Sequence, residues 1–177
     1  PNMRDKFTVT KTYGHERGLS VCFRQWKAAS HCRFLHGYAL QFAFEFECSA
    51  EHLSKEGWVI DFGRLGPLYL ALTQNFDHTM IVAADDPERE AMLLLEKAGL
   101  AKVVICEYGA SCEGMSRMAY DLAYRVLFKE AIVGLPKHVR IARVTVSEHG
   151  SNSATYLPGE PEETDLDSAD ARAAMAL

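Results

Sequence analysis

Strict alternation of apolar and polar residues is the feature that most constrains this fold. The run YALQFAFEFE, residues 38–47, places an apolar side chain at nearly every second position. The run LSVCFRQ, residues 19–25, does the same with Leu19, Val21 and Phe23. A period of two is typical of a β-strand with one buried face. Because a single loop joins the two runs, we predict that they form an antiparallel hairpin.

Further segments have the spacing of regular elements. Strand-like runs cover residues 7–13, 58–62, 101–108 and 139–146, and residues 153–158 extend or follow the last of these. Helical spacing covers residues 63–76, 86–98 and 111–132, with Pro67 in the first turn of the first helix and Ser111 as the cap of the third. This order lacks a regular βαβ alternation, so we predict an α+β fold in which the third helix covers one face of a sheet.

The length and the net charge of the chain limit the class of protein to which it can belong. The 177 residues fit one domain, which we expect over residues 1–160, followed by an acidic tail at 161–177. The net charge of -5 argues against a nucleic-acid surface, which needs clustered Lys and Arg. No apolar run could span a bilayer, and the polar start lacks the core of a signal peptide. We therefore expect a cytoplasmic protein that binds a small molecule.

Five cysteines without a C-x-x-C pair indicate reduced thiols rather than a disulfide framework. Cys22, Cys48 and Cys106 lie in strand-like runs and are expected to be small buried side chains. Cys32 instead lies in a polar loop between His31 and Arg33. Neighbouring positive charge favours the thiolate form, so Cys32 is the candidate reactive thiol.

Five separated segments together resemble one known family. They are CRFLHGY, WVIDFGRL, FDHTMIV, ASCEG at the start of a long helix, and VSEHGSNSATY. In this order and at this spacing, from about residue 7 to residue 156, they are similar to the 6-pyruvoyltetrahydropterin and 6-carboxytetrahydropterin synthases. The resemblance implies the tunnelling fold, an antiparallel sheet with two helices on one face. It also implies a homo-oligomeric barrel, such as a hexamer, whose chains cover the exposed sheet face and share a substrate pocket between them.

The resemblance also implies catalytic roles. Cys32 matches the cysteine that abstracts a proton, and Asp77 with His78 matches the pair that works with it. The chemistry suits these residue types, because a thiolate can remove a proton, a histidine can relay it, and an aspartate can orient the histidine. Taken alone, Asp77-His78 would equally fit a turn or a helix cap.

Two glutamates match the residues that bind the pterin. Glu148 fits that role because one carboxylate can accept hydrogen bonds from both the amino group and the adjacent ring N–H of a pterin. Glu113 matches a pocket glutamate, although in the first turn of a helix it also fits a simple interaction with the helix dipole.

Zinc is the cofactor that the resemblance implies, but the motif departs from the family pattern. The family uses three histidines, two of them in an H-G-H triplet, whereas this chain reads His36-Gly37-Tyr38. On a strand, such a triplet would aim both outer side chains at one metal. His36 is therefore the one matched ligand, and the remaining candidates are Gln25 in one register and His15 in another.

The resemblance implies a carbon–oxygen lyase that acts on dihydroneopterin triphosphate and yields either the 6-pyruvoyl or the 6-carboxy product. Zinc would polarise the side-chain oxygens of this substrate. The altered triplet leaves an alternative open, a metal-poor paralogue that binds a pterin or purine without the usual lyase activity. A purely structural sheet-forming oligomer is the third possibility.

Overall fold

Two four-stranded sheets organise the chain. This computed structural model describes residues 5–129 and 133–159. The strands are β1 (Lys6–Tyr13), β2 (Ser20–Phe23), β3 (His36–Ala39), β4 (Gln41–Ser49), β5 (Thr79–Ala83), β6 (Val103–Cys106), β7 (Arg140–His149) and β8 (Asn152–Tyr156). The helices are α1 (Gly66–Phe76), α2 (Arg89–Lys97) and α3 (Cys112–Tyr124), and α3 continues as a π-helical segment, Arg125–Lys129.

The large sheet is antiparallel in the order β1-β4-β7-β8. Strand β4 alternates as its sequence predicts, with the side chains of Phe42, Phe44 and Phe46 fully buried. Helix α3 packs on β7 and β8, and α1 reaches the same face, where Phe76 contacts Phe42 at a ring-centroid distance of 4.7 Å. The α+β class and the two helices on one face of an antiparallel sheet are thus confirmed.

The opposite face of the large sheet is charged. Glu47 pairs with Arg140 at 2.5 Å and with Lys6 at 3.4 Å, and Glu45 pairs with Arg143 at 3.2 Å. Burial raises the pKa of the Glu47 carboxyl, but Arg140 and Lys6 outweigh it and hold the pKa below its usual value. Glu47 therefore stays ionised at neutral pH. Coverage of this face by a neighbouring chain remains a prediction.

The small sheet has the order β3-β2-β5-β6 and is mixed, because β5 runs parallel to both β2 and β6. The predicted hairpin is confirmed for β2 and β3, which pair antiparallel. The run 38–47 is not one strand, however. It divides at Leu40, which is fully buried and donates its backbone N–H to the carbonyl of Leu19 at 2.9 Å. Burying this side chain turns the backbone from one sheet into the other.

Three other expectations need correction. Residues 58–62 are not a strand, since Asp61 accepts a hydrogen bond from the backbone of Gly63 and starts a 3-10 turn instead. The helix predicted from residue 86 begins at Arg89, because Asp86 belongs to the preceding loop. The helix capped by Ser111 leaves α-helical geometry at Arg125.

Other expectations hold or lie outside what can be described. Pro67 is in the first turn of α1, and Ser111 accepts a hydrogen bond from the backbone of Gly114 at 3.3 Å, both as predicted. The acidic tail, residues 161–177, lies outside the described residues, as do residues 130–132 at the end of the predicted third helix. Within the described ranges, no helix is long and apolar enough to cross a membrane.

Candidate functional site

The two sheets meet where the end of β7 approaches β3, and this seam contains two of the predicted site residues, His36 and Glu148. The ring of Tyr38 on β3 lies 5.9 Å from the ring of His149 at the end of β7. Glu148, half-buried, precedes His149 and lies beside the first turn of α3. We call this region the seam, and it is defined by His36, Tyr38, Cys112, Glu148 and His149.

Gly37 fixes how β3 presents its side chains in the seam. A Cβ atom at this position would lie 2.6 Å from the backbone oxygen of Val21 on β2, closer than real contacts allow. The absence of a side chain lets the two strands approach and places His36 and Tyr38 on the same face. Their rings lie 5.9 Å apart in an edge-on arrangement, and His36 packs on Phe23 at 4.7 Å.

Glu148 shares the seam with a buried thiol. Burial raises the pKa of Cys112 to about 12, and the negative charges of Glu148 and Glu113 add to this effect. The Cys112 thiol therefore keeps its proton at neutral pH, beside the Glu148 carboxylate. Cys112 was not among the predicted site residues, although its place next to a predicted helix cap was a usable signal. Glu113, by contrast, is exposed.

Cys32 lies in a short 3-10 turn, His31–Arg33, in the loop between β2 and β3. The Ser30 hydroxyl accepts a hydrogen bond from the Cys32 backbone at 3.4 Å, and the Cys32 carbonyl accepts one from Gln25 at 2.9 Å. The side chain is partly exposed. These bonds hold the thiol at the protein surface, where a substrate can reach it.

An acidic pair after β5 anchors this loop. Asp86 accepts two hydrogen bonds from Arg24, at 2.9 Å and 2.5 Å, and Asp85 accepts from Trp26 and Lys27. Burial alone would raise the pKa of Asp86, but the Arg24 guanidinium and the backbone N–H of Glu88 hold it below its usual value. From the sequence, Asp86 was predicted to start a helix, and the positioning role of the two aspartates was not predicted.

Asp77 and His78 form a hydrogen-bonded pair between α1 and β5. The Nδ1 atom of His78 lies 2.9 Å from a carboxylate oxygen of Asp77, and the His78 side chain is 87% exposed. His78 has φ of 50°, in the left-handed region that costs a non-glycine residue about 1–2 kcal/mol. Strain of this kind is concentrated at functional sites, which agrees with a catalytic role.

The structure does not bring Cys32 and this pair together within one chain. Strand β2 runs beside β5 with Val21 next to Thr79, so Asp77 and His78 lie beside the start of β2. The loop that carries Cys32 leaves from the other end of β2, after Phe23. A site that uses both must therefore draw them from two chains.

The residues predicted to bind zinc do not meet. His36 lies at the start of β3, where its Nδ1 atom donates to the carbonyl of Phe34 at 2.7 Å. His15 contacts the carbonyl of Ala39 at the other end of β3, roughly 10 Å further along the strand at the usual rise per residue. In the described ranges, no group of three or more His, Cys, Asp or Glu side chains could hold a metal ion. This donor set does not fit a three-histidine centre.

Surface grooves lie outside the seam, and two of them border loops. One, of about 320 Å³, runs beside β1 and is lined by Phe7, Trp58 and Phe62. The other, of about 440 Å³, lies between the Cys32 loop and α2, with Phe34 and Leu95 in its walls. Neither groove contains residues of the seam.

Comparison with known proteins gives concordant results. A family model described as 6-pyruvoyl tetrahydropterin synthase matches residues 13–159. A 6-carboxy-5,6,7,8-tetrahydropterin synthase of Aquifex aeolicus is 24% identical over 163 residues, which cover 85% of this chain and 98% of the relative.

Solved structures give the same picture at lower identity. An uncharacterised protein of Wolinella succinogenes superposes with a TM-score of 0.70 at 17% identity, covering 87% of this chain and 99% of the other. A catalytic-residue mutant of Plasmodium vivax 6-pyruvoyltetrahydropterin synthase superposes with a TM-score of 0.62 at 16% identity, covering 86% and 97%. The arrangement of sheets and helices is that of the tunnelling-fold class. Within that class, the chain belongs to the 6-pyruvoyl tetrahydropterin synthase family.

Proposed function

We propose that this protein is a pterin-forming carbon–oxygen lyase that acts on dihydroneopterin triphosphate, with a 6-pyruvoyl or 6-carboxy product. The observation that carries the proposal is the position of Glu148, half-buried in the seam next to Cys112 and the start of α3. The family match and the curated relative, named as a 6-carboxytetrahydropterin synthase, support the same reaction class.

Glu148 binds the pterin ring in this proposal. The Cys112 thiol beside it remains protonated, so it places no second negative charge next to the carboxylate, whose oxygens can accept hydrogen bonds from the ligand. The two parallel N–H groups on one edge of a pterin match a carboxylate in a charge-assisted, bidentate pair. Glu148 thus selects ligands that present two adjacent donors.

Cys32 acts as the proton-abstracting base, and Asp77 with His78 relays the proton. Because these groups lie at opposite ends of β2, the active unit joins Cys32 of one chain to Asp77 and His78 of another. The exposed apolar side chains of Phe34 and Leu35 beside Cys32 agree with coverage of this loop by a second chain, since large apolar patches are uncommon on monomers. We therefore propose a homo-oligomer, such as a hexamer.

Two substitutions test the division between binding and chemistry. Glu148→Gln keeps the shape of the side chain but removes the charge, and we expect the affinity for dihydroneopterin to fall about 10- to 100-fold. Cys32→Ala should abolish turnover while leaving this affinity within about twofold. Glu107→Gln, on an exposed residue before α3, serves as the matched control and should change neither. If Glu148→Gln bound the pterin normally, the assignment of the site would be wrong.

A pterin-binding paralogue without lyase activity is the second candidate. This candidate is favoured because the side chains predicted to bind zinc do not fit a three-histidine centre. This candidate predicts pterin binding that depends on Glu148, as above, but no product from dihydroneopterin triphosphate. Turnover by the unmodified protein separates the two.

A further inference from the structure

Three ring side chains form a row across the seam, in the place where the family resemblance puts zinc ligands. Tyr38 occupies the middle, 5.9 Å from the ring of His36 and 5.9 Å from the ring of His149. Phe23 packs beneath the first two, with its ring 4.7 Å from that of His36 and 6.2 Å from that of Tyr38. We call His36, Tyr38 and His149 the ring row.

Backbone contacts set the hydrogen-bonding character of each imidazole. The Nδ1 atom of His36 donates to the Phe34 carbonyl at 2.7 Å, which leaves Nε2 of a neutral ring as an acceptor. The Nδ1 atom of His149 accepts from the backbone N–H of Ser151 at 3.2 Å, which places the proton of a neutral ring on Nε2 as a donor. The ring row therefore offers an acceptor, a hydroxyl and a donor in sequence.

These three groups remain available to a ligand. Among the described residues, neither the Tyr38 hydroxyl nor the Nε2 atom of either histidine has a hydrogen-bond partner. A zinc site would instead need several lone pairs that converge on one point. Within the ring row, only the Nε2 atom of His36 offers such a lone pair. Zinc ligation through Nε2 of His149 would move the proton of that ring to Nδ1 and so break the hydrogen bond from Ser151. The row is thus built for hydrogen bonding.

We propose that the ring row binds the hydroxylated side chain of the pterin directly, so that ligand binding by this chain needs no metal ion. Hydroxyl groups donate and accept at once, which matches a row with an acceptor at one end and a donor at the other. This inference rests on the proposed function, since Glu148 fixes the pterin ring whose side chain then extends along the row.

Two pterin ligands distinguish the contribution of the ring row to binding from that of the Glu148 carboxylate. 7,8-Dihydroneopterin carries the side-chain hydroxyls, and 6-methyl-7,8-dihydropterin lacks them. Dissociation constants are measured for both by fluorescence titration of the full chain, before and after dialysis against a chelator. Tyr38→Phe removes one hydroxyl but keeps the ring contacts, and Tyr124→Phe removes the same group from an exposed tyrosine on α3 as the control.

The unmodified protein should bind dihydroneopterin within twofold of the same affinity with and without the chelator. Tyr38→Phe should weaken dihydroneopterin about five- to tenfold, as expected for one hydrogen bond, and leave the methyl compound unchanged. Tyr124→Phe should bind both pterins as the unmodified protein does, and thermal melting should show that both variants fold.

Two results would contradict this inference while leaving the proposed function intact. One is dihydroneopterin binding that is lost on chelation and restored by zinc. The other is an unchanged affinity in Tyr38→Phe while the unmodified protein binds both pterins. Failure of the unmodified protein to bind either pterin would overturn the proposed function, and this inference with it.

Discussion

At the scale of single residues, two cysteines in similar sequence contexts have opposite chemistry. Burial raises the pKa of Cys112 to about 12, and the neighbouring carboxylates of Glu148 and Glu113 add to this effect. Cys32 is partly exposed in a loop with His31 and Arg33 on either side. The first thiol stays protonated at neutral pH, and the second is the thiol that we propose reacts.

Alkylation of the native protein tests this contrast. Burial also raises the pKa of Cys22, Cys48 and Cys106, which leaves less thiolate at these positions. At pH 7.5, iodoacetamide should modify Cys32 about tenfold or more faster than Cys112, as followed by peptide mass spectrometry over time. Equal rates at the two positions would contradict the assigned roles, and labelling in denaturant provides the reference in which all five thiols react.

At the scale of elements, the loop between β2 and β3 depends on its anchor. Asp86, whose side chain is 1% exposed, binds Arg24, whose side chain is 21% exposed. Asp86→Asn removes the negative charge from the hydrogen bonds to Arg24, so it should lower the free energy of unfolding by about 1.5–3 kcal/mol at pH 7. The change is measured by urea unfolding, with Asp85→Asn as an exposed control that should cost less.

The same pair makes a prediction about pH. The pKa of Asp86 is lower in the folded than in the unfolded chain, so its stabilisation is fully present above the unfolded value of about 4. It is lost as the pH falls through the folded-state pKa. The difference between the unmodified protein and Asp86→Asn should therefore narrow below pH 4, and a constant difference down to pH 3 would contradict the proposed pairing.

Gly37 sets the contact between β2 and β3. In Gly37→Ala, the new methyl group would meet the Val21 carbonyl, and overpacking of this kind typically costs about 1–3 kcal/mol. Gly66→Ala is the matched control, since a Cβ there has no neighbour within 4 Å and its backbone is already right-handed helical. Thermal unfolding should show a loss for the first and no loss for the second, and equal behaviour would mean that the strands tolerate a side chain here.

Some features of the fold could be predicted from the sequence because they depend on residues that are close together in the chain. The alternation of Phe42, Phe44 and Phe46 gave β4 its buried face, and Ser111 was visible as a cap. The division of that run at Leu40 was not predictable, because the alternation continues through the break and only pairing with distant strands separates the sheets. The contact between Cys112 and Glu148 was missed for the same reason, since it joins a helix start to the end of a remote strand.

For the molecule as a whole, we propose that each active unit contains residues from more than one chain. Cys32 and the Asp77-His78 pair lie at opposite ends of β2 in a single chain. A mixture of two inactive variants, Cys32→Ala and His78→Ala, should therefore regain activity after joint refolding, because some sites then combine an intact Cys32 with an intact His78. With random mixing of equal amounts, one site in four should be active.

Activity assays of the refolded mixture against each variant refolded alone check this prediction. Sedimentation of the unmodified protein should show an oligomer as the main species. Full recovery of the fold without any recovery of activity in the mixture would mean that each chain works with its own residues or that one assigned role is wrong.

The lyase proposal is tested by incubating the unmodified protein with dihydroneopterin triphosphate and analysing the products by chromatography and mass spectrometry. We expect a 6-pyruvoyl or 6-carboxy tetrahydropterin, formed by the unmodified protein and absent with Cys32→Ala. Intact substrate after prolonged incubation, with a protein that binds dihydroneopterin through Glu148, would contradict the lyase proposal and leave a pterin-binding protein.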